Sequence, residues 1–232
     1  GKRNPIWRQT TVASAGNLTS AVYRIFGKPF SEEGKKLFGV PFAQFLKLNS
    51  EFRYHYRIDK NQMIASRIAG GVIWSYGNAT TAPYTEQFYI GGANSVRAFS
   101  ARSIGPGGYP PETDRKYTYI NHVGDIRIEA NIEYRFRMIA DLHGAVFLDA
   151  GNVWLMRKDE NRPNGEFTLK NFPKQIALGT GFGLRYDLDF LVFRLDLGIG
   201  LHDPYDTGKS GYYNIPKFKD SMALHFAIGY PF

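Results

Sequence analysis

The 232-residue sequence contains no cysteine and no long apolar run. The lack of cysteine excludes disulfides, thiol catalysis and zinc sites built on thiolates. Its apolar stretches are far shorter than the roughly 18–20 residues that a membrane-spanning helix needs, which excludes a helical membrane protein. The first residues, Gly1-Lys2-Arg3-Asn4, include neither an initiating methionine nor the apolar core of a signal peptide, so we expect a mature or excised fragment.

The composition also argues against nucleic-acid binding and catalysis. The net charge is +8, but the basic residues are spread singly along the chain and form no arginine-rich tract. The histidines have no metal-ligand spacing, and no serine lies in a nucleophile motif. We therefore expect no enzyme activity, no cofactor and no metal. A lipase that used His143 or His225 as its base would need a serine partner, and the sequence singles out none.

Aromatic residues and glycine are abundant, with 18 Phe, 15 Tyr and 25 Gly, a composition typical of strands and turns. In residues 125–137, every even position from Ile126 to Phe136 is apolar. Every odd position from Asp125 to Arg137 is charged or an amide. Since neighbouring side chains on a strand point to opposite faces, this segment predicts a strand with one apolar and one polar face.

The same alternation recurs along the chain. It predicts strands near 4–16, 41–58, 62–77, 122–137, 142–156, 174–187, 190–202 and 220–232, with a long inserted loop at 78–121. These segments are longer than the usual five or six residues of strands in globular proteins. The length favours an all-β fold, a transmembrane antiparallel up-and-down β-barrel whose apolar face meets lipid. The alternative is a soluble β-sandwich binding module, which would bury that face.

The connections between strands indicate the orientation. Short turns near 59–61, 139–141 and 187–189 alternate with long polar loops. Outer-membrane barrels have short periplasmic turns and longer extracellular loops. Trp74 and Trp154 lie where predicted strands enter long loops, so we expect them to belong to an interfacial aromatic girdle.

The long loop contains Val96-Arg97-Ala98-Phe99. This segment resembles the Val-Arg-Gly-Phe/Tyr loop tip of the BamA/TamA-type assembly and translocation barrels, also described as bacterial surface antigen domains. Ala98 stands where the family has glycine. Two further segments match in the family's order, Asn131-Ile132-Glu133-Tyr134 and Phe147-Leu148-Asp149-Ala150-Gly151. The resemblance spans roughly residues 40–232.

The resemblance implies that this loop folds back into the barrel lumen, where its arginine meets a glutamate and an aspartate of the wall. Glu133 and Asp149 lie on the polar phase of their strands, and a partly desolvated Arg97 would need such carboxylate partners. The alternative is that Arg97 is a solvated loop residue and that the two acids are ordinary polar residues of the lumen wall. The expected loop–lumen lock comprises Val96, Arg97, Phe99, Glu133, Phe147 and Asp149.

Several glycines share the polar phase of two neighbouring predicted strands. They are Gly179, Gly181, Gly183, Gly198 and Gly200. Glycine at such positions leaves space for another backbone, here the inserted loop, or permits the strand to curve. The pattern favours neither interpretation.

The last residues, Tyr230, Pro231 and Phe232, carry a separate expectation. In barrels of this class, a final strand that ends in an aromatic residue is recognised by the assembly machinery. The two rings also suit an anchor at the periplasmic interface. Pro231 cannot donate a ladder hydrogen bond, so we expect it to weaken the lateral seam between the first and last strands of the barrel.

About eight strands are predicted, whereas barrels of this family close with sixteen. The resemblance therefore implies the C-terminal half of a sixteen-stranded barrel. An eight-stranded barrel has an interior just wide enough for its own side chains. Two other arrangements are open. The chain could close alone as an eight-stranded barrel, with the long loop outside, or two copies of the chain could close together into one barrel.

The resemblance implies a function in assembling or inserting outer-membrane proteins, or in translocating polypeptides, in the bacterial outer membrane. The implied partners are outer-membrane lipid, unfolded outer-membrane protein substrates, and accessory assembly lipoproteins or periplasmic factors. A homodimer is a further possibility if the chain is complete. The alternative function is a passive porin-like channel, which would need an open lumen and no internal loop lock.

Overall fold

The computed structural model describes residues 4–30, 32–111 and 121–232. In chain order, the main elements are β1 (Ile6–Ala15), α1 (Asn17–Ile25), β2 (Lys36–Leu37), β3 (Val40–Pro41), β4 (Phe45–Arg57), β5 (Gln62–Ser75), β6 (Ile126–Ile139), β7 (Leu142–Trp154), β8 (Ala177–Asp187), β9 (Val192–His202) and β10 (Met222–Ile228). Two short 3-10 helices, Phe172–Gln175 and Phe218–Ser221, precede β8 and β10.

Eight of the strands form one antiparallel sheet in the order β1-β4-β5-β6-β7-β8-β9-β10. Each strand of this sheet pairs with the next one along the chain, which is the up-and-down topology expected from the sequence. Strands β2 and β3 form a separate small hairpin in the connection between β1 and β4. The all-β antiparallel fold class is thereby confirmed. Among the described residues, no helix is long and apolar enough to cross a membrane.

The two faces of the sheet differ sharply in chemistry. The outward face exposes apolar side chains such as Ile68, Leu148 and Leu195, as a lipid-facing wall does. The inward face carries charged side chains that are nevertheless buried, including Glu133 and Asp196. These residues are buried because the connection between β5 and β6 folds over the inward face.

An apolar cluster fixes this loop to the long-loop end of the sheet. Phe88, Ile90 and Val96 of the loop pack with Ile73 of β5 and Val153 of β7. A contact set of this kind excludes water and holds the loop in one position. Residues 112–120, part of the predicted long loop at 78–121, lie outside the described residues.

Trp154 does not belong to an interfacial girdle, contrary to the sequence-based expectation. Its side chain is fully buried. The ring is edge-on to Phe167, and it also contacts Phe172, with centroid distances of 5.5 and 5.4 Å. Its Nε1 donates a 2.9 Å hydrogen bond to Gln175. The connection between β7 and β8 therefore folds over the end of β7 and covers the indole.

The predicted end of the last strand was also wrong. The ladder of β10 ends at Ile228, because Gly229 adopts a φ of +82° that breaks the extended backbone. The chain then bends inward, and Phe232 is buried on the inward side of the sheet, where Arg135 Nη2 donates a 3.3 Å hydrogen bond to its carbonyl oxygen. Pro231 lies beyond the end of the β9–β10 ladder.

Candidate functional site between the long loop and the inward face

The tip of the long loop is a tight turn at Val96–Phe99. The backbone N–H of Phe99 donates a 3.1 Å hydrogen bond to the carbonyl oxygen of Val96. The turn closes without a positive φ at Ala98. Alanine therefore fits at the position where the family has glycine, and its methyl group is buried against the sheet.

Arg97 binds Asp149 of β7 through three of its nitrogens. The backbone N–H and Nε donate to Oδ2 at 3.1 and 2.8 Å, and Nη2 donates to Oδ1 at 2.9 Å. This is the two-pronged geometry in which a planar guanidinium engages both oxygens of a carboxylate. The side chain of Arg97 is 1% exposed and that of Asp149 is fully buried.

The same guanidinium contacts two further residues. Its Nη1 donates to Oε2 of Glu133 on β6, which is also fully buried. Its central carbon lies 3.5 Å from the ring centroid of Phe147 on β7, a close cation–π contact. The structure thus brings Arg97, Glu133, Phe147 and Asp149 together.

Val96 and Phe99 have a different environment. Val96 is fully buried in the apolar cluster, and Phe99 packs against that cluster. Neither belongs to the charged group. Their packing holds the turn that carries Arg97, so they position the arginine.

A larger ion-pair network surrounds the arginine. Glu133 accepts from Arg135 Nε at 2.6 Å and from Arg185 Nη2 at 3.1 Å. Asp196 of β9 accepts from Arg185 Nη1 at 2.5 Å and lies 3.6 Å from Arg194 Nη1. Four arginines, counting Arg97, thus share three carboxylates, counting Asp149.

Arg135, Arg185, Arg194 and Asp196 were absent from the predicted lock, although the sequence contains a signal for them. All four residues lie on the inward phase of their strands and are buried. Alternation places them on that face but does not say which of them meet. Because removing one member of a buried ion pair leaves an uncompensated charge, single truncations here should be costly.

Two glycines on the inward face make room for the loop. A Cβ added at Gly179 would overlap the methyl group of Ala98, and one added at Gly198 would overlap the carbonyl of Arg97. The other three differ. Gly181 accommodates the ring of Phe147, Gly183 accommodates the Arg185–Asp196 pair, and a Cβ on Gly200 would meet nothing closer than 3.5 Å. Space for the loop therefore explains Gly179 and Gly198.

The loop tip also contacts the last strand. The carbonyl oxygen of Arg97 lies 2.9 Å from Nε2 of His225 on β10. On the other side of the turn, Asn131 Nδ2 donates to the carbonyl of Ser95 at 3.0 Å and to Asp149 Oδ1 at 2.9 Å. One turn is thereby tied to β6, β7 and β10.

The terminal segment meets the same network through Arg135. The guanidinium carbon of Arg135 lies 4.5 Å from the ring centroid of Tyr230 and 5.6 Å from that of Phe232. Arg67 of β5 lies 5.8 Å from the Phe232 ring. Arg135 therefore links the last residues of the chain to Glu133 and, through it, to Arg97.

Comparison with known proteins identifies the family. The model of the Omp85 superfamily domain matches residues 36–232. The chain belongs to the Omp85 superfamily. This confirms the BamA/TamA-type resemblance and places the Omp85 chain in the bacterial outer membrane as part of a β-barrel.

The curated relatives of this Omp85 chain are outer membrane protein assembly factors named BamA. The protein from Nitratidesulfovibrio vulgaris is 28% identical over 204 residues, which cover 86% of this chain and 22% of the relative. That from Neisseria meningitidis serogroup B is 29% identical over 89 residues, 36% of this chain and 11% of the relative. The chain thus spans about a fifth or less of these relatives.

A solved structure shows the same fold. The crystal structure of BamA from Haemophilus ducreyi lacking POTRA domains 1–3 superposes with a TM-score of 0.55 at 16% identity. The match covers 80% of this Omp85 chain and 35% of the solved chain.

Proposed function

We propose that the protein containing this chain assists the insertion of other β-barrel proteins into the outer membrane, or moves polypeptides across it. The observation that supports the proposal is the loop tip, because its Arg97 lies buried against the inward face in ion pairs with Glu133 and Asp149, where a passive channel would need open space. The curated relatives are named as assembly factors and not as enzymes. Unfolded outer-membrane proteins are the proposed substrates, with accessory lipoproteins or periplasmic factors as partners.

In this proposal, the loop–lumen lock braces the wall while the edge of β10 receives a substrate strand. Strand β10 has seven residues, against eleven in β9, and it ends at a glycine. An exposed strand edge presents unpaired N–H and C=O groups that can template an incoming strand. The terminal residues Tyr230, Pro231 and Phe232 bend away from this edge. The edge of β10 is therefore short at the short-turn end of the sheet. We propose this as the role of the three terminal residues at the seam.

A reconstitution experiment tests the proposal. The full-length protein is placed in lipid vesicles, and a urea-unfolded eight-stranded outer-membrane barrel is added as substrate. Folding is followed by the gel-mobility shift of the unheated substrate. We expect folding several-fold faster than with empty vesicles, and we expect Arg97→Ala to lose that acceleration. Arg162→Ala is the matched control, since Arg162 pairs with Asp159 in a loop away from the lock.

The same vesicles distinguish the proposed function from a passive channel. Ion conductance is recorded across planar bilayers that contain the protein. A steady open conductance that is unchanged in Arg97→Ala, with substrate folding no faster than in empty vesicles, would overturn the assembly proposal and favour the channel.

A further inference from the structure

Helix α1, between β1 and β4, turns its apolar face away from the protein. Leu18, Val22 and Ile25 lie on one face of the helix and are 82%, 46% and 81% exposed, and Phe26, directly after the helix, is 78% exposed. A helix on the surface of a globular protein does the reverse and buries its apolar stripe. The orientation of α1 is therefore opposite to that of a helix on a water-facing surface.

Hydrogen bonds on the polar face fix this orientation. Ser20 is fully buried, and its Oγ donates to Gln44 Oε1 at 2.8 Å. Asn17 Oδ1 accepts from the hydroxyl of Tyr76 at 2.8 Å. The hydroxyl of Tyr23 donates to the carbonyl of Lys36 in the β2–β3 hairpin. The helix is thus seated on the barrel by its polar side.

The seat of α1 lies on the outward side of the sheet. The N–H of Tyr76 donates to the carbonyl of Gln44 at 3.0 Å, so these residues continue the pairing of β4 with β5. Gln44 is two residues from Leu46, and Tyr76 is two residues from Trp74, so each pair shares a face of the sheet. Leu46 and Trp74 pair with each other and are exposed on the lipid-facing side. Helix α1 therefore lies directly beyond the lipid-facing belt, at the long-loop end.

The β2–β3 hairpin extends the same apolar surface. Phe38, at its turn, is 97% exposed, and its neighbours Leu37 and Val40 are exposed as well. Exposed basic residues lie in the same elements and just after α1: Arg24, Lys28 and Lys36. Apolar side chains flanked by lysine and arginine are the composition of segments that lie in a membrane interface.

We propose that α1 and the β2–β3 hairpin form a lipid anchor, with their apolar side chains inserted into the outer leaflet beside the barrel. The occupant is the lipid that already surrounds Leu46 and Trp74, since the exposed surface is continuous with that belt. Arg24, Lys28 and Lys36 contact the phosphates of the lipid headgroups. This inference rests on the lipid-facing wall and not on the proposed assembly activity.

Site-directed spin labelling tests the anchor, because the chain has no cysteine of its own. Ile25→Cys and Phe38→Cys are made in the full-length protein, with any cysteine elsewhere replaced by serine. Each variant is labelled with a nitroxide in vesicles of phosphatidylethanolamine and phosphatidylglycerol. Tyr212→Cys is the control. Tyr212 is an exposed loop residue that stacks on His202 of the inward face, with ring centroids 4.4 Å apart, so it lies away from lipid.

The readout is the collision rate of each label with oxygen, which concentrates in lipid, and with a water-soluble nickel chelate. We expect the oxygen-to-nickel ratio at positions 25 and 38 to exceed that at 212 several-fold. A ratio equal to that at 212 would overturn the proposal. Protection from both reagents, with an immobile label, would also overturn it, since a protein partner would then cover the surface.

Charge reversal tests the basic residues in the same preparation. Arg24→Glu with Lys28→Glu should lower the oxygen-to-nickel ratio at position 38 in these anionic vesicles. Gel mobility of the unheated protein shows that each variant is folded. An unchanged ratio in the folded double variant would overturn the assignment of these residues to lipid phosphates.

Discussion

Arg97 and Asp149 are joined by three hydrogen bonds, two from the guanidinium and one from the backbone N–H of the same arginine. The aspartate therefore fixes both the direction of the side chain and the position of the turn that carries it. Lysine could not reproduce this arrangement, because its ammonium is a point charge without a planar fork.

Arg97→Ala and Asp149→Ala should each destabilise the barrel by about 3–5 kcal/mol, because each leaves a buried charge without its partner. The double variant should be less unstable than the sum, with a coupling energy of about 1–3 kcal/mol. The measurement is the unfolding midpoint in detergent, followed by heat-modifiable gel mobility. Asp159→Ala is the control. Asp159 pairs with Arg162 in a partly exposed loop, and its loss should cost about 0–1 kcal/mol. Simple additivity of the two lock variants would contradict the pairing.

Gly198→Ala should destabilise the protein more than Gly200→Ala. A methyl group at position 198 overlaps the carbonyl of Arg97, whereas one at 200 meets only ordinary contacts at 3.5 Å or more. Overpacking of this kind costs about 1–3 kcal/mol. The two glycines lie on the same face of β9, so the pair controls for the effect of alanine in a strand. Equal unfolding midpoints would show that the loop does not occupy this groove.

Phe232→Ala should lower the stability of the barrel by about 3 kcal/mol, since it removes a buried ring from Arg67 and Arg135. Phe226→Ala is the matched control, because Phe226 of β10 is 67% exposed on the outward face. Its loss should change stability in detergent by less than about 1 kcal/mol. Unfolding midpoints report both. A silent Phe232→Ala would mean that the terminal segment does not tuck inward in solution.

His225→Ala should loosen β10 and the loop tip together. The change removes one hydrogen bond, to the carbonyl of Arg97, worth about 1 kcal/mol. Hydrogen–deuterium exchange should therefore be about fivefold faster at the amides of β10 and of residues 96–99. His143→Ala, on the partly buried start of β7, serves as the control. Faster exchange confined to β10 would argue against a linked loop.

The order and the faces of the strands could be predicted from the sequence because side-chain parity is a local property. The alternation within residues 125–137 predicts an apolar and a polar face, whichever strands lie beside this segment. Parity also placed Glu133 and Asp149 on the inward face, and the resemblance singled out Arg97. Neither parity nor the resemblance predicted that Arg185 pairs with both Glu133 and Asp196, since such pairing depends on strand register and on side-chain length.

Two departures from the predicted elements have local physical causes. Alternation continues through Tyr230 and Phe232, but the positive φ of Gly229 ends the strand, and parity carries no information about that angle. No strand is predicted between the segments near 4–16 and 41–58, because the residues between them do not alternate, and the structure has α1 and the β2–β3 hairpin there. The helical spacing of Leu18, Val22 and Ile25 was present and would have predicted α1.

The contact between Arg97 and His225 joins positions that are 128 residues apart in the chain, and the bonds to Glu133 and Asp149 join positions 36 and 52 apart. Contacts of such long range cost loop-closure entropy when they form. The three partners lie on three different strands, so the full set of contacts exists only when β6, β7 and β10 all stand in register. The bonds to Glu133 and Asp149 do not involve β10, so a wall without β10 would keep the ion pairs and lose only the contact with His225.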